Sequence, residues 1–214
     1  YPFYYKKVLK EMGGYFAKII KGDIYKKIQT NKPINLIIDL GANFGSASIC
    51  FAIRYPNATI LSLEPVKETY HILSKNIKPY KNILGYNCAA SNKTGFSKIY
   101  IDNEKMGRSS LIKNHLNYSF NFSEKIKTID FKEFLETNNI DKVDILKVDV
   151  EGSESDIFQT IKKRLNDINI IYIEIHGKDN IKNLTKLILS THNIYEYNAH
   201  REDLIEAVFI NKNF

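Results

Sequence analysis

The chain is expected to form a mostly parallel, doubly wound α/β sheet with helices on both faces. Three observations lead there. From residue 34 onward, short apolar runs alternate with helical patterns, the order that βαβ units produce. The run Leu36–Leu40 feeds directly into a small-residue turn, Asp39-Leu-Gly41-Ala42-Asn43-Phe-Gly45. A second run, Thr59–Leu63, ends on Glu64, 19 residues beyond Gly45. A glycine turn followed by an acid at the tip of the next strand is how such sheets hold the ribose of an adenosine.

Residues 1 to about 30 read as an amphipathic helical segment. Tyr4, Tyr5, Val8, Leu9 and Met12 share one face, with Lys6, Lys7 and Lys10 between them. Gly13-Gly14 interrupts the pattern and Tyr15 to Ile28 resumes it. The chain therefore divides into an N-terminal helical segment, 1–33, expected to cap the ligand-binding end of the sheet, and one globular domain, 34–214. A basic, aromatic segment of this kind also suits peripheral contact with a membrane surface, the alternative to packing. Leu36–Leu40 is the first strand and Ser46–Arg54 its helix, closed by Tyr55-Pro56. Thr59–Leu63 is the second strand, and a helix runs from Val66 to Ile77, before Pro79. Ile83–Cys88 is the third strand. From Gly95 to Lys127 the pattern loosens into a short strand near Lys98–Ile101 and a polar, aromatic stretch over Asp102–Lys125. Phe131–Thr137 is a helix and Val143–Val148 the fourth strand. Ser153 reads as an N-cap, with Glu154 and Asp156 in the first turn of a helix reaching about Leu165. Ile168–Ile175 is the fifth strand, Leu184–Ser190 a helix, and Ile194–Tyr197 and Ala207–Ile210 are the last strands.

A length of 214 residues suits one substantial core. Apolar content of 43% and charged content of 26% are ordinary for a globular domain. No apolar run reaches membrane-spanning length, and no secretory pattern is visible. Cys50 and Cys88 sit inside apolar segments without C-x-x-C spacing, as core residues of a reducing, cytoplasmic compartment would. The net charge of +7 comes mostly from dispersed lysines. That pattern fits a solvated surface better than a polyanion-binding stripe, so nucleic acid is disfavoured as a partner.

The glycine turn also narrows the ligand. Dinucleotide sites use G-x-G-x-x-G, whereas this chain has Gly41-x-x-x-Gly45. A carboxylate at Asp39 would repel a pyrophosphate but suit a ligand carrying an ammonium and a sulfonium. S-adenosyl-L-methionine has both, together with ribose hydroxyls for Glu64. Asn43 fits the centre of the turn because Asn tolerates left-handed backbone.

Central strands of a parallel sheet should be apolar on both faces, and two strands here are not. Lys147, Asp149 and Glu151 share one side of the fourth strand and its exit. Glu174 and His176 share one side of the fifth. Lys147 and Glu174 are candidates for a structural bridge between neighbouring strands. Asp149, Glu151 and His176 lie at carboxyl ends, where open α/β sheets bind ligands.

Taken together, Asp39-Leu-Gly-Ala-Asn-Phe-Gly45, Ser62-Leu-Glu64-Pro65, Asn87-Cys-Ala-Ala-Ser91, Leu146-Lys-Val-Asp149-Val-Glu151-Gly152-Ser-Glu154 and Ile173-Glu-Ile-His176 resemble the FkbM-type methyltransferases. The resemblance covers about residues 34 to 177. It implies a class I methyltransferase (Rossmann-like) fold. It also implies methyl transfer from S-adenosylmethionine to a hydroxyl, often of a sugar or natural product. It would place Asp39, Gly41, Asn43 and Gly45, with Ala42 between them, along the methionine part, Glu64 on the ribose, Cys88, Ala89 and Ala90 by the adenine, and Asp149 and Glu151 towards the acceptor.

In-line transfer needs alignment and removal of the hydroxyl proton. His176, whose free pKa lies near neutral, is the first candidate for the base, followed by Asp149 and Glu151. Two acids and a histidine also suit Mg²⁺, although no clear motif supports a metal. Arg108, Ser109 and Ser110, in Met106-Gly-Arg-Ser-Ser110, are the candidate acceptor contacts. Three rival readings are an RNA methyltransferase, a nicotinamide-dependent oxidoreductase and a non-catalytic nucleoside-binding module. The oligomeric state is left open.

Overall fold

A computed structural model of the protein describes residues 28, 30–102, 109–111 and 122–214. Residues 1–27 and 29 of the expected helical segment 1–33 lie outside the described residues, as do Arg108 and most of the 102–125 stretch, while residues 28 and 30–33 of that segment are not helical.

The main sheet has seven strands. They are β1 (Leu36–Leu40), β2 (Thr59–Leu63), β3 (Ile83–Tyr86), β8 (Val143–Val148), β9 (Ile168–His176), β10 (His192–Arg201) and β11 (Leu204–Asn211), in the spatial order β10-β11-β9-β8-β1-β2-β3. The five strands from β3 to β9 run parallel. β11 is inserted antiparallel between β9 and β10. Strand order reverses where β8 lies beside β1, so the carboxyl ends of those two strands flank the crevice in which such sheets bind ligands.

Helices α1 (Ser46–Arg54) and α2 (Lys67–Ile77) follow β1 and β2. α3 (Phe131–Thr137), α4 (Glu154–Thr160) and α5 (Lys178–Ile188) accompany the later strands. Residues of alternating strand positions feed two cores, as the two-residue period of a strand requires. Leu40, Leu146, Ile171 and Phe209 join Phe134 and Phe158 in one. Ile37, Ile145, Ile170 and Tyr172 join Phe51 and Leu73 in the other.

The limits of β1, α1, β2, α3 and β8 coincide with the sequence expectations. Elsewhere the structure corrects them. The third strand stops at Tyr86 instead of Cys88, because the Asn87 amide turns inward to donate to the carbonyls of Glu64 (2.9 Å) and Pro65 (3.0 Å). The helix after Ser153 ends at Thr160 and continues as a 3₁₀ turn, Lys162–Asp167. Ser153 makes no side-chain capping bond; Glu154 instead accepts from the Gly152 N–H at 2.9 Å. α5 begins at Lys178, six residues before the expected start. Its first turn is polar, and only Ile181, Leu184, Leu187 and Ile188, at helical spacing, reach the core. The last two strands are longer than expected and form a hairpin.

The largest departure is a second sheet where the pattern loosens. β4 (Ala89–Ser91), β5 (Gly95–Ile101), β6 (Ser109–Ser110) and β7 (Phe122–Asp130) pair in the order β4-β7-β5-β6. Ile99 and Ile126 pack with Val66 and Ala89 into a small core of its own.

Phe209 lies on β11, is 1% exposed and belongs to the first core. Phe209→Ala should lower stability by about 3–5 kcal/mol, read as an earlier urea midpoint at unchanged slope. A loss below about 1 kcal/mol would mean that the inserted strand is not packed as described.

Candidate active site

The site is organised by a buried charge pair. Asp39 and Lys147 are register partners on β1 and β8, so their side chains share one face of the sheet. Lys147 Nζ lies 3.0 Å from Asp39 Oδ1 and donates to the carbonyls of Leu40 (3.2 Å) and Gly41 (2.8 Å). Ser48 Oγ donates to the other Asp39 oxygen at 2.6 Å and lies 2.8 Å from Ser62 Oγ. Lys147 thus bridges to Asp39, not to Glu174 as the sequence suggested. Asp39 is fully buried beneath the turn rather than on the cavity wall.

Above this pair the glycine turn is tightly seated. Gly41 has φ +73°, and a Cβ there would fall 1.8 Å from the Asp149 carbonyl oxygen. Asn43 is left-handed (φ 51°), as its residue type predicted, and Gly45 (φ 89°) opens α1. The Glu64 carboxylate accepts from the N–H groups of Asn43 and Val66, both at 2.9 Å. Burial, only partly offset by those donors, pushes the Glu64 pKa up to about 7.

At the ends of β8 and β9 a second cluster forms. His176 is 2% exposed. Its Nδ1 lies 2.8 Å from Glu154 Oε1, and its Nε2 lies 3.1 Å from Glu174 and 3.3 Å from Glu151. Burial alone would lower the imidazole pKa. The bonds to Glu154 and Glu174, with the charges of Glu154 and Glu151, outweigh burial and raise it to about 11. Carboxylates at both ring nitrogens favour the charged imidazolium, a form that leaves no lone pair for the base role expected of His176. Asp149 behaves oppositely. Burial first, then the charges of Glu174 and Glu151, push its pKa up to about 8, against the pull of Lys147 (3.9 Å) and His176. Asp149, Glu151 and His176 each bring one donor atom within 4.8 Å of the others. Both ring nitrogens of His176 already meet carboxylates, at 2.8 Å for Glu154 and 3.1 Å for Glu174, so the imidazole is committed to these acids.

The two clusters face one open cleft, whose space for a water-sized sphere is about 70 Å³. Gly41, Asn43, Glu64, Ala89 and Ala90 form one wall, and Asp149, Val150, Glu151 and Ser153 another. Ile99, Ser109 and Leu111 come from the small sheet. Ala42 and Gly45 are buried behind the turn, and Cys88 and His176 stand outside the wall. Ser110 is buried, its hydroxyl donating to the Glu151 carbonyl. Sequence reasoning missed Glu154 and assigned Glu174 only a structural pairing. Glu154 looked like an ordinary first-turn acid, and nothing local links it to a histidine 22 residues away.

This strand order and a cavity at the point of reversal define a class I methyltransferase fold. The FkbM methyltransferase domain model matches residues 39–203, and the chain belongs to that family. Among curated relatives it is 27% identical, over 72% of its length, to the hexuronic acid methyltransferase AglP of Haloferax volcanii, and covers 61% of that protein. It is 24% identical, over 69% of its length, to the 2-O-methyltransferase NoeI of Sinorhizobium fredii, covering 66% of it. The chain thus spans about three fifths to two thirds of these relatives. The crystal structure of the FkbM methyltransferase of Methylobacillus flagellatus superposes with a TM-score of 0.59 at 15% identity, over 87% of this chain and 46% of that one. Family membership sets aside the nicotinamide-dependent reading.

The folded imidazole of His176 binds its proton more tightly than the ordinary value of 6.5. Its contribution to stability is therefore complete below pH 6.5 and is lost as pH rises toward 11. The wild-type urea midpoint should fall across pH 7–10, and His176→Gln should flatten that fall. Parallel profiles for the two proteins would show that the ring is not a buried cation.

Proposed function

We propose that the protein is an S-adenosylmethionine-dependent O-methyltransferase acting on a hydroxyl of a sugar or small natural product. The observation that carries this reading is one cavity with Glu64 and a glycine turn on one wall and the high-pKa Asp149 on the other. Membership of the FkbM family supports the chemistry, and the name of the hexuronic acid methyltransferase relative supports a sugar acceptor.

The residues present fit the cofactor. Gly41 lets the turn lie against the Asp149 backbone, where any side chain would collide. Each Glu64 oxygen accepts one backbone N–H and keeps a second lone pair for a ribose hydroxyl. Ala89 and Ala90 offer a small, apolar wall for the base. Bound there, S-adenosylmethionine would supply an electrophilic methyl group on a sulfonium.

The chain's own work is to orient the acceptor and take its proton. Asp149 is the proton acceptor in this reading. Its raised pKa suits a base working near neutral pH, and the Lys147 ammonium 3.9 Å away steadies its anion. Glu151 accepts a second acceptor hydroxyl beside it. His176, already protonated, is a positioning cation that holds Glu151 and Glu174 against their mutual repulsion. Arg108 keeps its expected role as an acceptor contact.

Calorimetry with S-adenosylhomocysteine tests the cofactor, and Glu64→Ala should weaken binding about ten-fold or more. Methyl transfer from labelled S-adenosylmethionine to a panel of methyl glycosides tests the acceptor class. A folded protein that ignores S-adenosylhomocysteine would end the methyltransferase reading, and cofactor binding without any transfer would leave the nucleoside-binding module. With an acceptor found, Asp149→Asn should cut kcat about 10²–10⁴-fold while S-adenosylhomocysteine affinity stays within about three-fold. Wild-type kcat should climb between pH 6 and 9, as Asp149 loses its proton around the value of about 8. Undiminished turnover in Asp149→Asn would remove it as the base.

A further inference from the structure

One short element joins the small sheet to the strand ends of the large one. β6 is two residues long and pairs with β5 through Ser110 opposite Tyr100 and Ser109 opposite Ile101. The next residue, Leu111, packs on the small core of Val66, Ala89, Ile99 and Ile126. From this position Ser110 Oγ donates to the Glu151 carbonyl at 2.6 Å, with Ser110 only 1% exposed.

The carbonyl it holds belongs to a strained turn. Glu151 has φ 54° without being glycine, and Gly152 follows at φ 105°. Such backbone persists where surrounding bonds over-determine it. Two kinds of bond do so here. The Gly152 N–H donates to Glu154 Oε1, which also meets His176 Nδ1, and Ser110 holds the Glu151 carbonyl. Ser109 and Leu111, on either side, line the cavity together with Asp149 and Glu151. The hydrogen bond therefore ties the small-sheet side of the cavity to the turn that carries Glu151.

We infer that Ser110 is a positioning residue whose hydroxyl, bound to the Glu151 carbonyl, clamps β6 across the cavity and slows the escape of the cofactor. The residue expected to touch the acceptor acts instead through the turn that carries Glu151. The inference rests on the S-adenosylmethionine reading, yet it is tested with the product cofactor alone and needs no acceptor.

The experiment is a rapid-filtration chase of tritiated S-adenosylhomocysteine from the wild-type protein, Ser110→Ala and Ser110→Thr, with urea midpoints of all three. Ser110→Ala should release the ligand about ten-fold faster, as expected for a lost buried hydrogen bond. Ser110→Thr, which keeps the hydroxyl, should return the release rate towards wild type. A residue that merely stabilises the fold would lower the midpoint and leave release unchanged, which would overturn the inference. Hydrogen exchange on the wild-type protein supplies an independent measure should a variant fold poorly. Saturating S-adenosylhomocysteine should slow exchange over 109–111 and 150–153 together, and slowing at 150–153 alone would also overturn the clamp. Absence of any binding by the wild type would overturn the cofactor reading and this inference with it. Binding with unaltered release in Ser110→Ala would overturn this inference alone.

Discussion

The contact between Lys147 and Asp39 is the one on which the rest of the site depends. Two unit charges taken from water are expensive to bury, and breaking such a pair costs more than forming it gains. Here the ammonium meets the Asp39 carboxylate, two carbonyls and, at 3.9 Å, Asp149, and the second Asp39 oxygen takes a serine hydroxyl. Because the carbonyls belong to Leu40 and Gly41, the ion pair fixes where the glycine turn leaves β1. Because Lys147 is two residues from Asp149, it also fixes where β8 presents its carboxylate. One buried cation therefore sets the spacing between the two walls of the cavity.

A second cation, the His176 imidazolium, does similar work one strand further out. Three carboxylates around one ring would repel each other if it were neutral. The two buried cations divide the acids between them. Asp39 and Asp149 lean on Lys147, while Glu151, Glu154 and Glu174 gather on His176. Asp149 sits between the groups, where burial and then the charges of Glu174 and Glu151 raise its pKa, whereas the bond and charge of His176 overcome burial and lower that of Glu174.

Much of the fold was legible in the sequence, for local reasons. β1, β2 and β8 are short, mostly apolar runs bounded by turn-forming residues, as buried parallel strands must be, and their few polar positions mark the site. The small sheet was not legible. Its strands alternate weakly between apolar and polar residues, and β4 is three residues long. The start of α5 was hidden by a first turn of Lys178, Asp179 and Asn180. In the site, the glycine turn and Glu64 announced themselves through spacing along the chain. The protonation of His176 did not, because it arises from acids on β9, on the β8 exit and on α4 that only the folded chain brings together.

The antiparallel placement of β11 governs the order in which the sheet can be completed during synthesis. β10 leaves the ribosome first, but it has no place beside β9 until β11 emerges and slots between them. Until then, the open edge of β9 presents Ile171, Ile173 and Ile175 beside unpaired backbone groups, the kind of surface that invites other nascent chains. Residues 204–211 therefore cover the apolar edge of β9 and move the sheet's open edge outward to β10, a strand exposed along nearly its whole length.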